Sequence, residues 1–151
     1  MLVIALIALL GFVTVSYTLL SGMALPDENL IKAQASVHNM LLYRQAAVAY
    51  YTANPSATGV IADASMTSYL PSGYAKNFNW VANISGGYAY VYTSDAAANS
   101  PMIANVLAHA TEGSYFAGKN VGGNIVSSLR GDTGIALPVF VPSGSPVLMG
   151  K

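Results

Sequence analysis

No charged side chain occurs before Asp27. The stretch ahead of it, MLVIALIALLGFVTVSYTLLSGMAL (residues 1–25), constrains the fold more than any other part of the chain. A helix rises about 1.5 Å per residue, so roughly 20 apolar residues cross a hydrocarbon layer about 30 Å thick. Thr14, Ser16, Thr18 and Ser21 interrupt the run, but hydroxyls bond back to helix carbonyls and do not oppose insertion. The expectation is a transmembrane anchor over residues 1–25, in contact with lipid, ahead of a globular domain over 26–151. A cleaved secretory signal would want a basic n-region and a shorter apolar core, although Gly22-Met23-Ala24 offers a cleavage site. A buried helix would need more apolar surroundings than the remaining chain supplies. A type IV prepilin leader would place a glycine before the cleavage point and a glutamate five residues into the mature helix. Gly11-Phe12 supplies the first feature, but Ser16 stands where the glutamate would be.

Charge is sparse along the whole chain, at 8% of 151 residues against the ~25% of an average soluble domain. Such a surface suits packing against other proteins or a membrane, and it leaves self-association open. The formal net charge is zero, and Lys32, Arg44, Lys76, Lys119, Arg130 and Lys151 are scattered, so nothing favours nucleic acid. There is no cysteine, which removes disulfides, thiolate metal sites and thiol chemistry together. Neither flank of the anchor carries a basic cluster, so topology is weakly encoded. The acidic pair Asp27-Glu28 leaves the downstream side free to lie outside the cytoplasm.

Pro26 and Asp27 mark the start of a long helix over 27–54, a spine whose Leu30, Val37, Leu41, Val48 and Tyr51 fall on one face. Asn54-Pro55 ends it, since proline disfavours helix for the residue before it. From 55 to 151 the chain breaks into short segments punctuated by glycine, proline, serine and asparagine. Gly59-Val60-Ile61 reads as a short strand. The alternating runs Phe78–Ile84 and Tyr88–Thr93 flank Gly86-Gly87 and read as a hairpin, with Tyr88, Tyr90 and Tyr92 on one face. Ser100-Pro101 caps a short helix near 101–111. In the last third Pro138, Pro142 and Pro146 restrict the apolar pairs to edge or interrupted strands. The expected architecture is α+β and pilin-like: an N-terminal transmembrane helix, then a long spine helix on a small antiparallel sheet of about four strands.

No set of residues builds an active site. Asp132-Thr133-Gly134 matches the aspartic-protease triplet, but that chemistry needs two such carboxylates sharing a proton, and the triplet occurs once. A turn explains it, and equally explains Arg130-Gly131-Asp132, an adhesion tripeptide. Asn83-Ile84-Ser85 is a glycosylation sequon set inside a strand pattern. His38 and His109 fall on different helices with no second ligand at metal spacing, so no metal is expected. Ser65, Ser114 and Ser127 lack a nucleophile elbow. Gly118-Lys119 and Gly122-Gly123 lack the spacing of phosphate or dinucleotide loops, so no cofactor is expected. The tyrosines carry more information. Tyr43, Tyr50 and Tyr51 on the spine, and Tyr88, Tyr90 and Tyr92 on the hairpin, offer broad rings with polar tips that serve a core or a protein interface equally. They are the candidate interaction residues.

Three features together resemble the PilM family of type IV thin-pilus (type IVb) systems, found on conjugative plasmids and in related pilus clusters. They are the charge-free N-terminus, the spine carrying Asn39-Met40-Leu41-Leu42-Tyr43-Arg44-Gln45, and the tail with Gly118-Lys119-Asn120-Val121-Gly122-Gly123 and Leu129–Pro138. The resemblance implies a bacterial inner-membrane, single-pass protein with a periplasmic domain. It also implies action in pilin transport or the pilus basal body through contacts with other pilus assembly proteins or pilins, without catalysis. The alternatives are a minor pilin within the filament and, from another class, a small tethered hydrolase built on Asp132.

Overall fold

A computed structural model describes residues 27–151. Helix α1 spans Glu28–Ala53; the Asp27 side chain accepts the Asn29 N–H at its start, and the Asn54 N–H closes its end on Tyr50 and Tyr51 carbonyls. Strand β1 (Gly59–Ile61), a helical turn α2 (Asp63–Met66) and an irregular stretch lead to the hairpin β2 (Val81–Ser85) and β3 (Tyr88–Tyr92). Helix α3 (Pro101–Ala110) follows, with Ser100 accepting the Met102 N–H and proline at its first position. Strands β4 (Ala117–Val121), β5 (Asn124–Ser127), β6 (Gly131–Ala136) and β7 (Pro146–Gly150) complete the domain.

All seven strands join one antiparallel sheet in the order β1-β2-β3-β7-β4-β5-β6. This overturns the expected pilin-like arrangement of a spine on a sheet of about four strands. The minor-pilin alternative loses its architectural basis with it. The physical reason lies in β7, which closes the sheet by inserting between β3 and β4, pairing Ala89 with Gly150 and Ala117 with Leu148. Pro146 was expected to confine its segment to an edge, yet it opens this central strand. At the first position its missing N–H removes only a terminal ladder bond.

Residues 1–25, on which the anchor and lipid-contact expectation falls, lie outside the described residues. Among the described residues no helix is long and apolar enough to cross a membrane, so the single-pass inner-membrane placement is withdrawn. The long helix among the described residues, α1, carries Lys32, Gln34, His38, Asn39, Arg44 and Gln45, too many polar groups for a hydrocarbon layer.

The sheet is buried on both faces. On one, Ala82, Ile84, Ala89, Val91, Ala117 and Leu148 pack beneath α1 and α3. On the other, Tyr90, Tyr92, Ile125, Val147 and Met149 are covered by Phe140 and Val141 from the β6–β7 connection. The buried face of α1 is Ala33, Ser36, Val37, Met40, Tyr43, Ala46 and Ala47. Of the expected stripe only Val37 belongs to it; Leu30, Leu41, Val48 and Tyr51 are half-buried. Small residues let the helix axis approach the sheet closely, and alanine is a faint hydrophobic signal in sequence.

Candidate functional site

Leu30 and Leu41 of the expected stripe face a groove, with Val37 at its edge to the core. Leu30, Val37 and Leu41 of α1 meet Met102 and Val106 of α3 around a cleft of about 620 Å³, rimmed by Gln34, His38, Asn105 and His109. The two helices stand side by side on the sheet, and their side chains do not close the seam between them. Both histidines are exposed, and the fold brings them to one groove although 71 positions separate them (109 − 38). Among the described residues no three His, Cys, Asp or Glu side chains gather as metal ligands. The groove is an apolar trough with polar edges, the chemistry of a protein contact.

The six candidate tyrosines divide by burial. Tyr43, Tyr90 and Tyr92 are buried. Tyr43 stacks on Tyr74 at 6.2 Å between ring centroids, and Tyr90 and Tyr92 pack on Phe140 at 5.9 and 5.8 Å. Burial raises the pKa of all three; at Tyr43 the hydrogen bond to Asp63 and the charge of Asp63 raise it further. Tyr50, Tyr51 and Tyr88 are half-buried and keep one side in solvent. Tyr50 meets Tyr69 edge to face at 6.1 Å, and Tyr88 stacks on Phe116 at 6.2 Å.

A polar network not visible in the sequence fastens the irregular segment 62–80 to α1. The Asn39 Oδ1 accepts from the Trp80 indole at 2.8 Å, the Tyr74 hydroxyl at 3.0 Å and the Asn77 N–H at 3.3 Å, while its Nδ2 donates to the Ala75 carbonyl at 2.8 Å. Beside it, Asp63 Oδ1 accepts from the Tyr43 hydroxyl at 2.6 Å and pairs with Lys76 at 2.7 Å; the same ammonium donates to the Trp80 carbonyl and lies 4.6 Å from the Tyr43 ring centroid. Burial pushes the Asp63 carboxyl up, but the hydrogen bonds from Lys76 and Tyr43 outweigh it and leave the pKa below the usual carboxylate value. Burial, then the charge of Asp63, pushes Tyr74 up to about 12. A tyrosine held protonated this firmly is a donor and not a base, so the cluster is a clasp. The contacts that tie α1 to this segment span from 20 to 41 residues in sequence, which is why no local pattern announces them.

Asp132 lies on the exposed edge strand β6. Its carboxylate accepts the Gly134 N–H at 2.9 Å and the Asn124 amide at 3.1 Å, and these two bonds hold its pKa low. That is the geometry of a local turn. Ser127 is buried, and its hydroxyl accepts only the neighbouring Leu129 N–H. Asn83 of the sequon is buried within β2.

The PilM family pattern matches residues 7–149 of this chain. A search of the curated proteins finds no match. The solved structure of a PilM protein from Escherichia coli B7A is 18% identical and covers 85% of this chain and 98% of its own, with a TM-score of 0.56; the likeness is one of fold. Another, of a PilM protein from Pseudomonas aeruginosa 2192, is 24% identical over 78% of this chain and 95% of its own, with a TM-score of 0.41. With the match running over nearly its whole length, this chain belongs to the PilM family, and with it to the proteins of type IV pilus-related assembly.

Proposed function

We propose that the protein works in pilus assembly by contact and not by catalysis, holding another assembly protein or a pilin at the α1–α3 groove during pilin transport or in the basal body. The observation that carries this reading is the groove itself: an apolar trough of about 620 Å³ in a domain whose other large apolar side chains are mostly spent on two cores. Its floor repeats along α1 at Leu30, Val37 and Leu41, the spacing that receives an amphipathic helix. The polar edge of Gln34, His38, Asn105 and His109 would fix register.

The test places a charge on the trough. Val106→Asp and Leu30→Asp put a carboxylate where a partner would have to desolvate it. The expected outcome is loss of pilus assembly, scored as filament yield, with the circular dichroism spectrum and cooperative unfolding retained. Full yield from both folded variants would overturn the reading.

A further inference from the structure

A second surface is built at one end of the sheet. Registers across β3, β7, β4 and β5 bring Tyr88, Lys151, the Tyr115-Phe116 pair that leads into β4, and the Leu129-Arg130 pair that follows β5 into one row. Tyr115, Phe116 and Leu129 are 54%, 44% and 49% exposed, three large apolar side chains gathered at one end of the sheet. Tyr88 stacks on Phe116 at 6.2 Å, and a cation flanks each side of the row: Lys151 Nζ lies 5.6 Å from the Tyr88 ring centroid, and the Arg130 guanidinium lies 4.9 Å from that of Tyr115. Arg130 also donates through Nε to the Gly113 carbonyl, which orients its remaining N–H groups.

Neither cation forms an ion pair with an Asp or Glu side chain among the described residues. The ion pairs among the described residues are Lys32–Glu28 and Lys76–Asp63. Of the acidic groups close to Arg130 in sequence, Asp132 is committed to Gly134 and Asn124, and Glu112 makes no ion pair. A cation held over a ring keeps its charge, is partly desolvated and loses less freedom when an anion arrives. One strand, β4, lies between β7 and β5, so the backbone positions that carry the two cations stand roughly 10 Å apart, with Tyr115 and Phe116 leading into the strand between them.

We infer that this end of the sheet binds an acidic segment of a partner protein, with two carboxylates engaging Arg130 and Lys151 and an apolar side chain laid on Tyr88, Tyr115 and Phe116. Rings between the charges favour a polypeptide, which brings both groups on one chain, over a headgroup surface. The inference rests on the reading that the protein works by contact, but uses a face distinct from the groove.

The test follows the full chain by NMR as a blocked peptide, Glu-Glu-Phe-Leu-Glu-Glu, is added. Shift changes are expected at the row, weakening about tenfold in Arg130→Glu/Lys151→Glu and less in Arg130→Gln/Lys151→Gln, and falling with added salt. Both side chains are exposed, so the variants are expected to keep the native spectrum. Absence of binding at millimolar peptide, or binding that the charge reversals leave unchanged, would overturn the inference. So would capture of phosphatidylglycerol vesicles, in place of the peptide, that Arg130→Glu/Lys151→Glu abolishes, which would make the row a lipid surface. The groove variants Leu30→Asp and Val106→Asp should still bind the peptide, so failure of one surface is told apart from failure of the other.

Discussion

Removing the Asn39 amide leaves the Asn77 N–H without its acceptor and the Ala75 carbonyl without its donor, while the Trp80 indole keeps the Asn77 Oδ1 and the Tyr74 hydroxyl keeps the Asn39 backbone carbonyl. Asn39→Ala should therefore cost about 1–2 kcal/mol, read as a lower urea midpoint with an unchanged slope. Asp63 gives this clasp a pH dependence. Its folded pKa lies below the unfolded value, so the stability it contributes is present above the ordinary carboxylate range and lost as pH falls through the folded value. The difference in Tm between the wild type and Asp63→Asn should shrink as pH is lowered from 6 toward about 3. At the alkaline end the sign reverses. Tyr43 and Tyr74 are held protonated, so stability should fall once pH exceeds the unfolded tyrosine value of about 10.

At the scale of elements, the closest approach of backbone to backbone at a glycine lies between β4 and β5. A Cβ on Gly118 would stand 2.5 Å from the Val126 carbonyl oxygen and 2.8 Å from its carbon. Those are backbone atoms that no rotamer change can move, so Gly118→Ala should destabilise by about 2 kcal/mol or more in thermal or urea unfolding. The edge strand β6 is protected differently. Asp132 and Thr133 side chains take the Gly134 and Ile135 N–H groups that an incoming strand would use. Helix α1 shows where element-level reading succeeds and fails. Its ends are written in Asp27 and Asn54-Pro55, because caps are local. Its buried face is not, because alanines pack it against the sheet while the larger Leu30 and Leu41 turn toward α3.

For the whole molecule, the discriminating substitution is Asp132→Asn. If the protein works by contact, filament yield should equal that of the wild type; a loss of yield in a folded variant would revive the hydrolase reading of Asp132-Thr133-Gly134. Much of this chain could be read from its sequence because it depends on neighbours in the chain. The caps at Asp27 and Ser100, the Gly86-Gly87 turn, the alternation that sends Tyr88, Tyr90 and Tyr92 to one face, and the resemblance to PilM proteins are of this kind. Pairings formed late in the chain could be decided only by the tertiary structure. The insertion of β7 between β3 and β4 makes one seven-stranded sheet and aligns Tyr88, Lys151, Phe116 and Arg130 along one end, while the packing of α1 joins Asn39 to segment 74–80 and brings His38 and His109 to one groove. Local preference sets where helices and turns begin, but contacts between residues tens of positions apart are chosen by the burial of both sheet faces, which no single segment contains.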